Sequence, residues 1–498
     1  MTKEELREMF SKSDWTEETI MEADKIVSRI AKEHLGLEVY PNQFEIITSE
    51  QMLDAYSLIG LPISYNHWKF GKDFVMNSNN YKKGRMGLAY EMVINSNPCI
   101  SYNMEDNTTC LMILVLAHAA YGHNHFFKNN YLFKQWTHAD SIVDYMLFAR
   151  NFITECEEKY GYEVVEEILD ACHALMSYGV DKYQKPKTLS PQEEQDRLSK
   201  KIEDDRVLLN DLWRTVPKNE KTKEVADRHP KQPEENILYF LEKKSPILKE
   251  WQREIVRIVR KTSQYFYPQG QTKVANEGCA TFSHYEIINK MYEEGYLTDG
   301  FMAEFYHNHS NVIFQPDFDS KYYSGLNPYT LGFNILNDIK RMSLNPTEED
   351  KKWFPEIAGE GNWAEVFRYA VENFKDESLI LQYLSPKVIR DMKLFTIDDN
   401  QDEDVYNIKA IHNENGYKKI RENLSTQYNR NRYIPDIQIY DVDVYGDRTL
   451  KLLYTRIDNM DLSMKNCRDV LDYVKRLWGL PVELIEFVDG DEDLIMSV

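Results

Sequence analysis

Between residues 15 and 60 the apolar positions recur at intervals of three and four, first in "WTEETIMEADKIVSRIAKEHLGL" and then in "NQFEIITSEQMLDAYSLIG", and a Gly closes each run. This period marks amphipathic helices with one face turned to a core, and the closing glycines fit helix ends. The pattern changes over 89–104, "AYEMVINSNPCISYNM", where Val, Ile and Tyr gather around an Asn-Pro pair and predict a strand and turn. The strand leads into "CLMILVLAHAAYG" from Cys110. That stretch is too short for a bilayer span and has polar flanks, so it predicts a buried core helix over 108–121. The segments "VDYMLFARNFITECEEKYG" and "YEVVEEILDACHALMSYG" resume the helical period, each ending in Gly.

From about 181 to 236 the chain turns polar, yet Ser190-Pro191-Gln192-Glu193 reads as a capping box with Pro at the first helical position, predicting an exposed helix inside the excursion. Ser245-Pro246 opens another helix, on which Arg253, Arg257 and Arg260 share one face. Such a stripe either holds an anion or is a solvated, salt-bridged surface. After 393 the texture becomes "LFTIDD", "VYNIKAIH", a helix over 413–428, "IQIYDVDV", "TLKLLYTRI", a helix over 462–478 and "VELIEFVD". That ββαββαβ order predicts a small α+β sandwich with helices on one sheet face. It holds no plausible nucleophile and base pair, so it reads as a binding or assembly module. The expected organisation is a mainly α region over 1–392 with a few strands and the polar excursion at 181–236, followed by a small α+β domain over 393–498. No repeat of solenoid period is evident.

A chain of 498 residues, 42% hydrophobic, can bury a sizeable core. Its 82 acidic against 60 basic residues, net charge -22, disfavour a broad nucleic-acid or anionic-membrane surface. The six cysteines lie far apart with no C-x-x-C, as reduced thiols do, and "MTKEELREMFSKSDW" lacks the apolar run of a secretory signal and the acid-free character of a transit peptide. A cytoplasmic location without membrane insertion is the expectation.

Candidate chemistry lies in the 12 histidines. Neutral imidazole is a common ligand of first-row metals and titrates near neutral pH. Glu277 and His284 are i, i+7, about 10 Å apart along a helix, and cannot chelate one ion alone. His118 and His123 are i, i+5, about 140° apart on a regular helix; they converge only where the helix ends or bulges near Gly122. A strand, a His-bearing helix and a later Asn-Glu helix follow in the order used by zinc peptidases of the gluzincin type, so a gluzincin-like α+β core is one expectation. His118, His123 and Glu277 would be the ligands, with Asn276 beside them and an open fourth position for water. A divalent metal follows, with zinc favoured. Ala119 occupies the position of the H-E-x-x-H glutamate, so either another group serves, with Glu91 or His284 as the acid-base candidate, or the site is not hydrolytic. A competing set pairs Asp170 with His173 and Glu304 with His307, two carboxylate-x-x-His motifs of the kind that build dinuclear redox centres in helical bundles. The plainest alternative is a set of buried His and acid pairs that hydrogen-bond between helices.

The words "YNHWKFGK" (65–72), "GLAYEMVINSNPCISY" (87–102), "AHAAYGHNHFFKNN" (117–130), "ECEEKYGYEVVEEILDACHALMSYGVDKY" (155–183), "NEGCATFSHY" (276–285), "NPYTLGF" (327–333) and "FKDESLILQYLSPKVIRDMKLFT" (374–396) resemble the SpoVR family, the stage V sporulation protein R group that includes YcgB-like proteins. The resemblance runs from about residue 15 to the end of the chain. It implies a large N-terminal region and a smaller C-terminal one, with a role in spore cortex formation or in stress and stationary-phase physiology. It also implies a serine protein kinase and a von Willebrand A-like protein as partners, and so a second functional reading: a non-enzymatic scaffold for the kinase, its His-rich centre structural. The family word N-E-G-W-A-T-x-W-H-Y is matched at Asn276, Glu277, Gly278, Ala280, Thr281, His284 and Tyr285. Cys279 and Ser283 stand where it has two Trp residues; if those rings wall a pocket, the replacements open it. Position 125, often Ser or Asp in the family, demotes His125 as a ligand.

Overall fold

The computed structural model describes residues 1–57, 64–82, 91–184, 229–230, 232–398, 407–410, 412–457, 462–488 and 491–498, with single helical positions at 192, 196 and 200. Ser190, Pro191 and Glu193 of the expected capping box, and most of the polar excursion, lie outside these residues. The chain divides into two compact units, one formed by Met1–Leu169 with Gln264–Ile434 and the other by Asp170–Ser263 with Pro435–Val498.

Helices build most of the first unit. Its centre is the helix Lys273–Glu293, whose buried residues run nearly all round the axis, from Val274 and Ala275 through Phe282 and His284 to Met291. A helix apolar on every side must be enclosed by others. The helices Glu17–Ile30, Pro328–Leu344 and Trp363–Asn373 and the His118 segment all pack on it. Glu17–Ile30 follows the predicted period, burying Ile20, Ala23, Ile26, Val27 and Ile30. Gly36 closes its continuation in the left-handed region, at φ 67°, as the sequence leads one to expect of a glycine cap.

A three-stranded sheet flanks these helices, formed by β1 (Asn42–Ile47), β2 (Glu91–Ile94) and β3 (Cys99–Met104) in the order β1-β3-β2. β1 runs parallel to β3 and β2 antiparallel to it, with Glu91 opposite Asn103. The strand and turn expected over 89–104 are thus β2, the Asn97-Pro98 turn and β3. One expectation is corrected here: "NQFEII" is β1 and not the start of a helix, which begins only at Ser49. Parallel pairing with β3, 57 residues further along the chain, decides the matter over the local spacing of Phe44 and Ile47.

The first unit extends to Ile434, beyond the change of texture at 393. It includes the short strands β4 (Thr396–Asp398) and β5 (Asn407–Ala410), which pair with each other, and the helix Glu414–Tyr428. That helix buries Tyr417, Ile420 and Leu424 in the unit's hydrophobic core. The strands after Pro435 form a separate sheet in the second unit.

That sheet has the order β6-β7-β8-β9, from β6 (Asp436–Val442), β7 (Leu450–Thr455), β8 (Val482–Val488) and β9 (Asp491–Ser497). The parallel pair β7 and β8 needs a crossover, supplied by the helix Met464–Trp478. It buries Cys467, Leu471, Val474, Leu477 and Trp478 on one face. The last strand, β9, adds a hairpin to the expected order. The arginine stripe also falls here and is salt-bridged: Arg257 and Arg260 hold the buried Glu242 carboxylate at 2.9 and 3.0 Å, while Arg253 donates to the Glu242 and Ser245 carbonyls. All six cysteines are buried and free, and no helix among the described residues is long and apolar enough to cross a membrane.

Candidate metal centre

The helix that enters at Thr109 winds as an α-helix to Val115, as a π-helix over Leu116–His123, and as an α-helix again over Asn124–Asn129. In the π segment hydrogen bonds run from i to i+5, so the turn widens and residues five apart come much nearer to one face than on an α-helix. This is the bulge that His118 and His123 need, and their rings lie 4.7 Å apart at 85°. Gly122 sits at its end because the neighbouring helix touches it: a Cβ there would meet the Cα of Ala280 at 2.5 Å. A second close contact holds the helix Pro328–Leu344, since a Cβ on Gly278 would meet the Cα of Gly332 at 2.6 Å. Three helices therefore meet backbone to backbone beside Glu277.

The first turn of Lys273–Glu293 presents Asn276 and Glu277. No residue of its own caps it; Asp376 does so from another helix, accepting from the N–H of Ala275 at 2.8 Å and from those of Val274 and Lys273. Asn276 Oδ1 lies 2.9 Å from His123 Nδ1, so the imidazole donates there and turns Nε2 toward Glu277 Oε2, 3.5 Å away. His118 Nε2 lies 3.9 Å from the same oxygen and 3.4 Å from Glu91 Oε1 at the start of β2. Ligand atoms of Glu91, His118 and His123 fall within 4.8 Å of one another. Oε2 of Glu91 and Oε2 of Glu277 are buried without a hydrogen-bond partner. Burial first, and then the Glu277 charge, holds the Glu91 carboxyl well above the usual carboxylate range.

Behind His118 stand two more imidazoles. His118 Nδ1 is 2.9 Å from His284 Nδ1, and His284 Nε2 is 2.8 Å from His309 Nδ1. All three are buried. Burial, reinforced by the neighbouring imidazoles, holds His118 and His284 well below the ordinary imidazole value, and burial lowers His309 to about 4. The chain is therefore neutral at physiological pH. Aromatic rings clamp it: Tyr329 stacks over His118 at 6.2 Å, Phe127 over His123 at 5.9 Å, and Phe333 and Tyr285 flank His309 at 4.9 and 5.0 Å. The carboxylate side is the more open, with Glu91 and Glu277 side chains 16% and 18% exposed, against 0% for His284.

Glu91, His118, His123, Asn276, Glu277 and His284 thus come together. Of the second candidate set, Glu304 and His307 are exposed on the helix Asp299–Val312, where Glu304 accepts from Thr108 and Asn311 meets His307. Asp170 and His173 belong to the second unit. His125 turns elsewhere, to the Glu38 backbone at 3.1 Å and to Asn129 at 2.9 Å. Cys279 and Ser283 lie about 200° and 240° around the helix from Glu277. Both are fully buried, with Cys279 Sγ 3.6 Å from the Gly122 carbonyl. They belong to the helix contact, not to the wall of the cluster. Sequence reasoning passed over His309 as a site residue, although Phe301, Phe305 and His309 are i, i+4 and i+8 on the buried face of their helix.

A helical unit built around a buried two-histidine, two-glutamate cluster, joined in sequence to a small α+β sheet unit, is the class of protein that fold and site define. The chain belongs to the SpoVR family: the model of the SpoVR like protein family matches residues 14–433, and that of the SpoVR-like C-terminal domain matches residues 435–489. It is 55% identical over 473 residues, 95% of this chain and 92% of the relative, to "Uncharacterized protein YcgB" of Escherichia coli (strain K12). No solved structure gives a significant match.

Proposed function

We propose that the cluster binds a divalent metal ion, zinc in the first place, through His118, His123 and Glu277, and that the protein uses it for hydrolysis. The observation that carries this reading is the convergence of ligand atoms: Nε2 of His123 and of His118 lie 3.5 and 3.9 Å from Glu277 Oε2, and a buried oxygen of each glutamate finds no hydrogen-bond donor. Buried polar groups are nearly always paired, and a cation would satisfy both oxygens. Two imidazoles and one carboxylate suit a catalytic zinc that keeps a position for water. Such an ion supplies Lewis acidity and lowers the pKa of bound water.

Glu91 takes the acid-base role that Ala119 leaves open. It reaches the cluster from β2 and not from the helix, with Oε1 3.4 Å from His118 Nε2. His284 does not compete for that role, because both its nitrogens face other imidazoles. The gluzincin likeness is one of order, strand then His helix then Asn-Glu helix, with five residues of π-helix replacing the usual spacing of four. A role in sporulation is supported by the family's name alone.

Metal analysis of protein purified without a histidine tag tests the reading. A stoichiometric divalent metal is expected, lost in His118→Ala and in Glu277→Gln. Protein that is metal-free, takes up no added zinc or cobalt, and responds to neither substitution would refute it.

A further inference from the structure

The three-histidine chain has a polarity that decides whether His118 can be a ligand. A neutral imidazole carries one N–H and one lone pair. Each of the two N···N contacts, 2.9 and 2.8 Å, therefore needs one proton, and His284, using both nitrogens, must donate at one and accept at the other. Only two arrangements satisfy this. In the first, His118 donates from Nδ1 to His284, His284 donates from Nε2 to His309, and His309 keeps its proton on Nε2. His118 Nε2 then faces Glu91 and Glu277 as a bare lone pair. In the second, His309 donates from Nδ1, His284 donates from Nδ1, and the proton of His118 sits on Nε2, pointing at Glu91 3.4 Å away. The two differ by one proton given up at His309 Nε2 and taken up at His118 Nε2.

We infer that His309, acting through His284, is a positioning residue that holds His118 in its metal-binding tautomer. The inference rests on the metal-site reading. His309 touches no group of the cluster except His284, and its ring is fixed by Phe305, Tyr285 and Phe333. Its Nδ1 is thus held 2.8 Å from His284 Nε2, where it accepts in the first arrangement. Partners of this kind, one shell behind a metal-ligating histidine, set its tautomer and ring orientation and are worth roughly 10–100-fold in metal affinity.

The test compares cobalt and zinc affinity, by competition with a chelator, in wild type, His309→Leu and His309→Gln, with the metal-free melting temperature as a control. Leu removes the acceptor, and Gln restores one through its side-chain carbonyl. The expected result is a roughly 10–100-fold loss in His309→Leu, substantially recovered in His309→Gln, with an altered cobalt spectrum in the Leu variant. Equal affinity in all three proteins, or equal loss in both variants, overturns the inference. Wild-type protein with 15N-labelled histidines removes any dependence on the variants' folding: in the zinc-loaded state His309 carries its proton on Nε2, and a proton on Nδ1 overturns the assignment. Wild type that binds neither metal overturns the metal site itself. Wild type that binds normally beside an unaffected His309→Leu overturns only the relay.

Discussion

Gly278→Ala is the smallest change that probes how the cluster is assembled. The added Cβ would lie 2.6 Å from the Cα of Gly332 and 2.7 Å from its carbonyl carbon. Carbon atoms rest at about 3.5–4.0 Å, so the two helices must part by about 1 Å, and the opposing atoms are backbone that no rotamer change can move aside. Overpacking of this kind costs about 1–3 kcal/mol. Helix propensity works in the opposite direction, favouring Ala over Gly by about 1 kcal/mol. Gly300→Ala separates the two effects: it makes the same chemical change in a helix where the nearest neighbour of the new Cβ, Thr298 Oγ1, is 3.9 Å away. Urea unfolding should place the stability of Gly300→Ala at or above wild type, with Gly278→Ala about 1–3 kcal/mol below Gly300→Ala. Because Glu277 precedes the strained residue, a displacement of about 1 Å also exceeds the roughly 0.2 Å tolerance of metal–ligand distances, so metal affinity should fall in Gly278→Ala alone. Equal stability and equal metal binding in the two variants would refute the close-packing argument.

Asp376, the cap of the Asn-Glu helix, has its carboxyl raised from 3.8 to about 7, chiefly by burial, against the N–H groups it accepts from. A carboxyl that holds its proton more tightly when folded contributes stability that is fully present below about pH 4 and lost as pH rises through 7. Asp376→Asn should therefore gain on wild type between pH 4 and 8, by up to about 4 kcal/mol, in urea titrations across that range; parallel profiles would contradict the assignment. On the same central helix the buried Glu286 carboxylate receives Lys340 Nζ at 2.7 Å on both oxygens, with His34 Nε2 at 3.2 Å. Lys340→Met should destabilise by about 3–5 kcal/mol, and adding Glu286→Leu should recover most of it; a Lys340→Met protein as stable as wild type would show the pair to be dispensable.

Local period and turn chemistry made much of the first unit legible. The helices that bury one face, the Asn-Pro turn and the Gly36 cap all follow from short-range rules. The strand β1 did not, because its partner lies far along the chain. The limit of the C-terminal unit is set by packing that composition does not report: the change at 393 is a real change of texture, yet Tyr417, Ile420 and Leu424 of the next helix bury in the first unit's core. The candidate residues around His118 were legible as residue types in an order. What spacing alone left undetermined was whether they meet, since five residues on an α-helix point His118 and His123 apart.

The π segment resolves that geometry, and the small residues around it give the physical reason. In "AHAAYGH" the alanines and Gly122 leave room for another helix to press against the widened turn, and Ala280 takes that room while Gly278 accepts a third helix on its other side. Fitting two imidazoles to one carboxylate is therefore a question of backbone distance before it is one of ligand chemistry. The carboxylate-x-x-His motif at Glu304 shows the converse. Its spacing is right for a shared helix face, but that face is exposed, and the residue of the same helix that reaches the cluster is His309, aligned with Phe301 and Phe305. In this chain the buried face of each helix is a better guide to the site than the spacing of its ligand-type residues. By the same criterion the relay of three imidazoles belongs to the cluster as much as the glutamates do: its members are buried, mutually hydrogen-bonded and held by aromatic rings, on three helices whose contacts leave them little freedom to turn.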